Sequence, residues 1–214
     1  DAAPRRLRFQ ARSKKQADAW QKKLRAKLVE LMGGFPAERA PLKPVTLETR
    51  EFSAYRREKL VFDSRPGVSV LAYVLIPKSA RTPVPVVICV PGHGRGVDDV
   101  VGIDDKGQDR ANKDGYQHDF AIQAAEAGLA AVAIEVMAFG CRRDPITAKG
   151  ALTRSACQPT AGSAMLVGQT MIGWRVWDVM RTIDYIATRP DLDASRIACM
   201  GISGGGMCTL FAAA

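Results

Sequence analysis

Histidine is scarce in this chain: His93 and His118 are the only two in 214 residues. The five cysteines, Cys89, Cys141, Cys157, Cys199 and Cys208, contain no C-x-x-C pair, so no sequence spacing announces a metal site. No apolar run approaches the ~18–20 residues that span a bilayer, which excludes a membrane-spanning helix. The glycine-rich run Gly201–Gly206 holds no lysine and does not fit G-x-G-x-x-G, so neither a Walker loop nor a dinucleotide fingerprint is present. The formal charge of +9 comes largely from Arg5, Arg6, Arg8, Arg12, Lys14, Lys15, Lys22, Lys23, Arg25 and Lys27. No zinc-finger, RRM or homeodomain pattern accompanies them, and the run reads as a solvated face rather than a nucleic-acid site. The chain opens on Asp1 rather than Met, which leads to the expectation of a removed upstream segment and of a secreted or periplasmic location.

What is present is a sequence of alternating elements. Trp20, Leu24, Leu28, Leu31 and Met32 recur at helical spacing over Lys14–Met32, and Gly33-Gly34 is a stop signal. Pro36, Pro41 and Pro44 mark an extended connector, so residues 1–58 are expected to form a basic helical arm on a core at 59–214. Lys59–Asp63 and Val68–Pro77 read as an antiparallel pair, and Val84–Val90 and Leu129–Val136 as strands covered on both faces. Tyr116–Ala127 and Gly173–Arg189 read as helices; Val176, Val179, Met180, Ile183 and Ile186 form the second one's inward stripe. The long stretch Met137–Gly162 reads as an irregular loop, with Cys141 and Cys157 as either a disulfide or free thiols. Arg196–Met200 is a last short strand before a helix at Met207–Ala214. This order predicts an α/β fold with a mostly parallel sheet and helices on both faces.

The chemistry is expected where that last strand meets its helix. Gly201-Ile202-Ser203-Gly204-Gly205 fits G-x-S-x-G, in which glycines let a strand turn at once into a helix and hold a serine hydroxyl out at the helix N-terminus. Backbone N–H groups and the helix dipole there favour developing negative charge. Pro91-Gly92-His93-Gly94-Arg95-Gly96 follows the strand Val84–Val90 and could supply a second N–H to an oxyanion beside that of Gly204, from His93 or from Gly94. Arg142 and Arg143 are weaker candidates for holding an acidic group of a substrate. Asp98, Asp99, Asp104 and Asp105 lack EF-hand spacing and read as solvated, while Trp174 and Trp177 read as packing residues.

The strand order, the P-G-H-G-R-G loop, the helix W-R-V-W-D-V-M-R-T-I-D-Y-I-A-T-R-P-D-L-D and R-I-A-C-M-G-I-S-G-G-G resemble the α/β-hydrolase superfamily. Within it they are similar to the acetyl xylan esterase and dienelactone-hydrolase-like group, over residues 59–214. The resemblance implies an ester substrate, an acyl-enzyme on Ser203 and no cofactor. The loop departs from the group's common His-Gly start by having Pro91-Gly92, which leaves the donor open between His93 and Gly94.

A serine nucleophile needs a base and the base an orienting acid. The superfamily order is Ser, then Asp or Glu, then His, yet the eleven residues after Ser203 include none of these. His118 beside Asp119 is a poor pair, because helix neighbours face apart. The acid and histidine are therefore expected on a C-terminal segment outside this chain, either a second polypeptide or a further part of the same one, which would also cover an otherwise open sheet edge. The expected partner is a small-molecule or carbohydrate ester. Other readings are a lactonase, amidase or peptidase on this fold, or a non-catalytic binding protein of the same architecture.

Overall fold

The computed structural model describes residues 5–151 and 154–214. Residues 1–4 and Leu152–Thr153, which fall in the basic N-terminal stretch and the long loop, lie outside that description. Helix α1 (Lys14–Leu31) is capped by Ser13, whose hydroxyl accepts from Gln16 N (3.3 Å) while Gln16 Oε1 accepts from Arg12 N (2.7 Å). Gly33 ends it at φ +85°, and a Cβ there would stand 2.5 Å from Gln169 Cα. Leu28 touches the core, but Leu31, expected on the inward stripe, is 63% exposed. The docking contact is made instead by Met32 and Phe35, in the turn after the helix.

Six strands form one sheet in the order β1-β2-β3-β5-β4-β6. They are β1 (Val45–Glu51), β2 (Tyr55–Arg65), β3 (Val68–Pro77), β4 (Val84–Val90), β5 (Ala130–Ile134) and β6 (Leu192–Gly201). Strand β1 corrects the expectation of a connector up to residue 58, since Val45–Glu51 pairs antiparallel with β2. Its sequence V-T-L-E-T-R-E has no buried face, and all seven residues are exposed, so apolar alternation could not reveal it. Charge along such an edge protects it from pairing with other chains. The sheet is also less parallel than expected: β1, β2, β3 and β5 pair antiparallel in turn, and parallel pairing is confined to β5-β4-β6. Short turns join β1 to β2 and β2 to β3 (at Pro66-Gly67), which makes those pairs antiparallel, whereas β5 reaches β3 only after β4 and α2; the helical crossovers impose the parallel half.

Period-two alternation divides the core between two faces. Val70, Ala72, Val74, Val86, Ile88, Val132 and Ile134 point to the side covered by α4 (Met171–Ala187) and α5 (Gly204–Ala213). Tyr73, Leu75, Cys89, Ala131 and Ala133 point to the side covered by α2 (Phe120–Glu126). Helices thus flank both faces, as the α/β reading expects. The stretch Met137–Gly162 is less irregular than expected, because Cys157–Leu166 forms α3. Pro159 is tolerated in its first turn, but α3 has almost no apolar face to signal it; Leu166 is 90% exposed.

Helix α4 carries a polar interior. Val176, Val179 and Ile186 are buried as expected, but Ile183 is 41% exposed, while Arg175, Asp178, Arg181 and Thr182 are buried. Asp178 accepts from Arg142 Nη1 (2.6 Å) and Ser64 Oγ (2.5 Å), and Arg181 pairs with Asp184 (2.6 Å), so each of these buried charges has a partner inside. An apolar stripe alone therefore misplaces the buried face. Substituting the fully buried Ile88 by Ala is expected to lower stability by about 2–5 kcal/mol, read as a fall in the urea midpoint. An unchanged midpoint would contradict this packing.

Candidate active site

Strand β6 runs through Ile202 into Ser203, the residue that opens α5. Ser203 has φ +53° and ψ −118°, a left-handed conformation that L side chains rarely adopt, and it is exposed. Neighbouring glycines make this turn possible. A Cβ on Gly205 would lie 2.1 Å from the Val90 carbonyl oxygen, and one on Gly201 would lie 2.4 Å from the Gly205 backbone. On the facing loop, a Cβ on Gly92 would lie 2.6 Å from the Ile202 carbonyl oxygen and 3.2 Å from Ser203 Cβ. Gly92 is thus the residue that lets the end of β4 touch the turn around Ser203.

The loop after β4 is pinned from three sides. Gln117, fully buried, clamps Gly92 in both directions: Nε2 donates to the Gly92 carbonyl (3.1 Å) and Oε1 accepts from Gly92 N (3.0 Å). Asp99 accepts from Arg95 N (3.0 Å) and twice from the Arg95 guanidinium. Glu135, one residue past β5, accepts from Val97 N and Val136 N, both at 3.2 Å. A Cβ on Gly96 would strike its carboxylate, and burial pushes Glu135 up to about 8.

This frame sets His93 over the turn. Its ring atoms Nδ1 and Cε1 lie 3.6 Å from where a Cβ on Gly204 would stand. The ring packs edge-on against Phe139 (centroids 4.9 Å apart), and Nε2 lies 3.6 Å from Cys157 Sγ. Ser203, Gly204 and His93 are therefore brought together from two separate strand ends. Gly94, at φ +150°, faces Asp99, whose Oδ2 would lie 2.8 Å from its Cβ.

Other sequence candidates sit elsewhere. Arg142 is turned inward, ion-paired with Asp178 and donating to the Glu135 carbonyl (2.9 Å), which corrects the expectation of an exposed arginine that meets substrate. Arg143 donates to the carbonyls of Gly140 and Ala151, and lines a cavity of about 340 Å³ with Arg95, Asp98 and Cys141. His118 is exposed on the turn before α2, while Asp119 faces inward to Arg110. Cys141 and Cys157 are free thiols rather than a disulfide, because Cys157 faces His93 and Arg175. Of the four acids after the loop, Asp99 is buried against Arg95 rather than solvated, while Asp98, Asp104 and Asp105 line the same cavity as Arg143; Asp98 accepts from Tyr73 (3.1 Å) and Asp104 from the backbone of Lys106 and Gln108. Among the described residues, no three His, Cys, Asp or Glu side chains are placed to hold a metal ion. Nor is any helix among them long and apolar enough to cross a membrane.

With this geometry in view, a model described as "Abhydrolase family" matches residues 3–212. The chain belongs to the Abhydrolase family. YtaP of Bacillus subtilis (strain 168), a protein provisionally named a hydrolase, is 27% identical over 194 residues, covering 89% of this chain and 58% of YtaP. A Bacteroides fragilis NCTC 9343 crystal structure, provisionally named an acetyl xylan esterase, superposes with a TM-score of 0.81 at 25% identity, covering 97% of this chain and 53% of that one. A glucuronoyl esterase from Solibacter usitatus shares the fold at 18% identity, with a TM-score of 0.59, over 92% of this chain and 56% of that one. The chain thus spans little more than half the length of these relatives.

Within this Abhydrolase family member, sequence reasoning missed Gln117, Glu135, Phe139, Cys157 and Arg175 as parts of the site. None has a motif, since each comes from a different segment and acts on backbone or ring atoms far away in sequence. Glu135 did carry one signal, being the one charged residue in the apolar run L-A-A-V-A-I-E-V. Because Glu135 is raised in the folded chain, its proton is held more tightly than in the unfolded chain, and its contribution to stability is lost as pH rises from about 4.5 through about 8. Glu135→Gln, which cannot titrate, is expected to flatten the denaturation midpoint against pH in that window. A variant profile parallel to the wild type would contradict the buried, raised carboxyl.

Proposed function

We propose that this chain carries the nucleophile half of a serine hydrolase of carboxylic esters, with Ser203 as the attacking residue. The observation that carries the reading is the left-handed backbone of Ser203, exposed between β6 and α5 and sterically permitted by Gly92, Gly201 and Gly205. Strain of this kind persists only where the surroundings over-determine it, and here it presents a hydroxyl at a helix N-terminus.

In the proposed reaction Ser203 Oγ adds to the ester carbonyl, and the oxyanion is held by the backbone N–H of Gly204 and that of His93, with Gly94 as the alternative donor. The Oγ proton passes to an imidazole and then to the departing alcohol, leaving an acyl-enzyme. Water, deprotonated by the same imidazole, releases the acid and restores Ser203. That imidazole and its acid come from polypeptide outside the described elements. His93 is engaged with Phe139 and Cys157, and His118 lies with an Asp119 already committed to Arg110. Uncovered apolar side chains beside the site, Met200 (47% exposed) on β6 and Met207 and Leu210 on α5, support a further segment there.

A short acyl group on a carbohydrate or small alcohol is the proposed substrate. It is supported by the acetyl xylan esterase and glucuronoyl esterase names of the structural relatives. In the full-length protein, Ser203→Ala is expected to lower kcat on aryl and sugar acetates by about 10⁴-fold or more, with the fold intact by circular dichroism. Retained turnover in that variant would rule out Ser203 as nucleophile. Turnover of amides or lactones with none of acetate esters would move the activity to another acyl hydrolase class.

A further inference from the structure

Behind Gly204 lies a buried cation that no sequence pattern announced. Arg175 is only 3% exposed, and its guanidinium is fixed on three sides. Nε (3.0 Å) and Nη2 (2.6 Å) both donate to the Met137 carbonyl, Nη2 also donates to Cys157 Sγ (3.3 Å), and the plane lies 4.6 Å from the Phe139 ring centroid. No carboxylate among the described residues pairs with it. Asp178, one turn along α4, is already taken by Arg142 and Ser64. Nη1 has none of these partners, and lies 3.9 Å from where a Cβ on Gly204 would stand.

Burying a charge is costly unless something compensates it, so a guanidinium buried without a counter-ion at this place points to an anion that is present only part of the time. Phe139 and Cys157 also hold the His93 ring, which closes a circuit Arg175–Phe139–His93–Cys157. We propose that Arg175 is the positioning residue of the oxyanion hole: through Phe139 and Cys157 it locks His93 over Gly204, and its free Nη1 edge places fixed positive charge beside the site where the oxyanion forms. The inference rests on Ser203 being the nucleophile. A carboxylate on the substrate is the other anion a guanidinium could take. The burial of Arg175 and its closeness to Gly204 favour the anion formed at the reacting carbon.

The test uses the full-length protein with 4-nitrophenyl acetate and the anionic mono-4-nitrophenyl ester of glutaric acid. For R175Q, kcat is expected to fall about 10–100-fold on both esters, with KM within about threefold, as for lost preorganisation rather than lost binding. R175K, which keeps the charge but not the fork, is expected to recover part of the loss on both. An effect confined to KM for the anionic ester would overturn the proposal in favour of a substrate-carboxylate site, and unchanged kcat on both would overturn it outright. If R175Q does not fold, C157A carries the test, because it opens the circuit and keeps the cation: a fall in kcat at constant KM supports the proposal, and an unchanged kcat overturns it. Wild-type protein inactive on both esters would instead defeat the esterase reading, and this inference with it.

Discussion

The contact between Gly205 and the Val90 carbonyl is the constraint on which the rest of the site depends. Helix α5 can start directly above the end of β4 only because no side chain stands at position 205, and the same holds for Gly201 under the first turn of α5 and for Gly92 across from Ile202. Where strand, loop and helix meet this closely, Ser203 takes φ +53° and ψ −118°. The left-handed backbone of the serine is thus a consequence of packing, and its exposed hydroxyl is a consequence of the backbone.

A loop brought so near a helix N-terminus needs its own backbone fixed. Gln117 supplies to Gly92 the pair of hydrogen bonds a neighbouring strand would have supplied, and Glu135 and Asp99 hold the N–H groups of Val97 and Arg95. Buried polar groups of this kind are costly when only partly satisfied, and here each binds backbone that would otherwise be unpaired. Arg175, Phe139 and Cys157 extend the same scaffold to the His93 side chain.

Legibility in the sequence followed periodicity and sterics. Strands β3, β4 and β5 are apolar on both faces and could be read directly, and the G-x-S-x-G turn named Ser203 because its glycines have a steric reason. Strand β1 could not be read, because an edge strand exposed on both faces leaves no alternation. Helix α4 was found, but Ile183 was placed inward, because its polar residues are buried with partners from other segments. Arg142 and Arg175 illustrate the limit at the site. Both are arginines in segments before the serine, and only three-dimensional pairing separates the one bound to Asp178 from the one with a free edge by Gly204.

Covalent labelling tests the central claim most directly. The full-length protein would be treated with a fluorophosphonate and the adduct located by peptide mass mapping, alongside heat-denatured protein as control. The account predicts one phosphonyl group on Ser203 in the native protein and none after denaturation, because activation depends on the folded turn and its oxyanion donors. Absence of an adduct in native, folded protein, or its appearance on another serine, would contradict it.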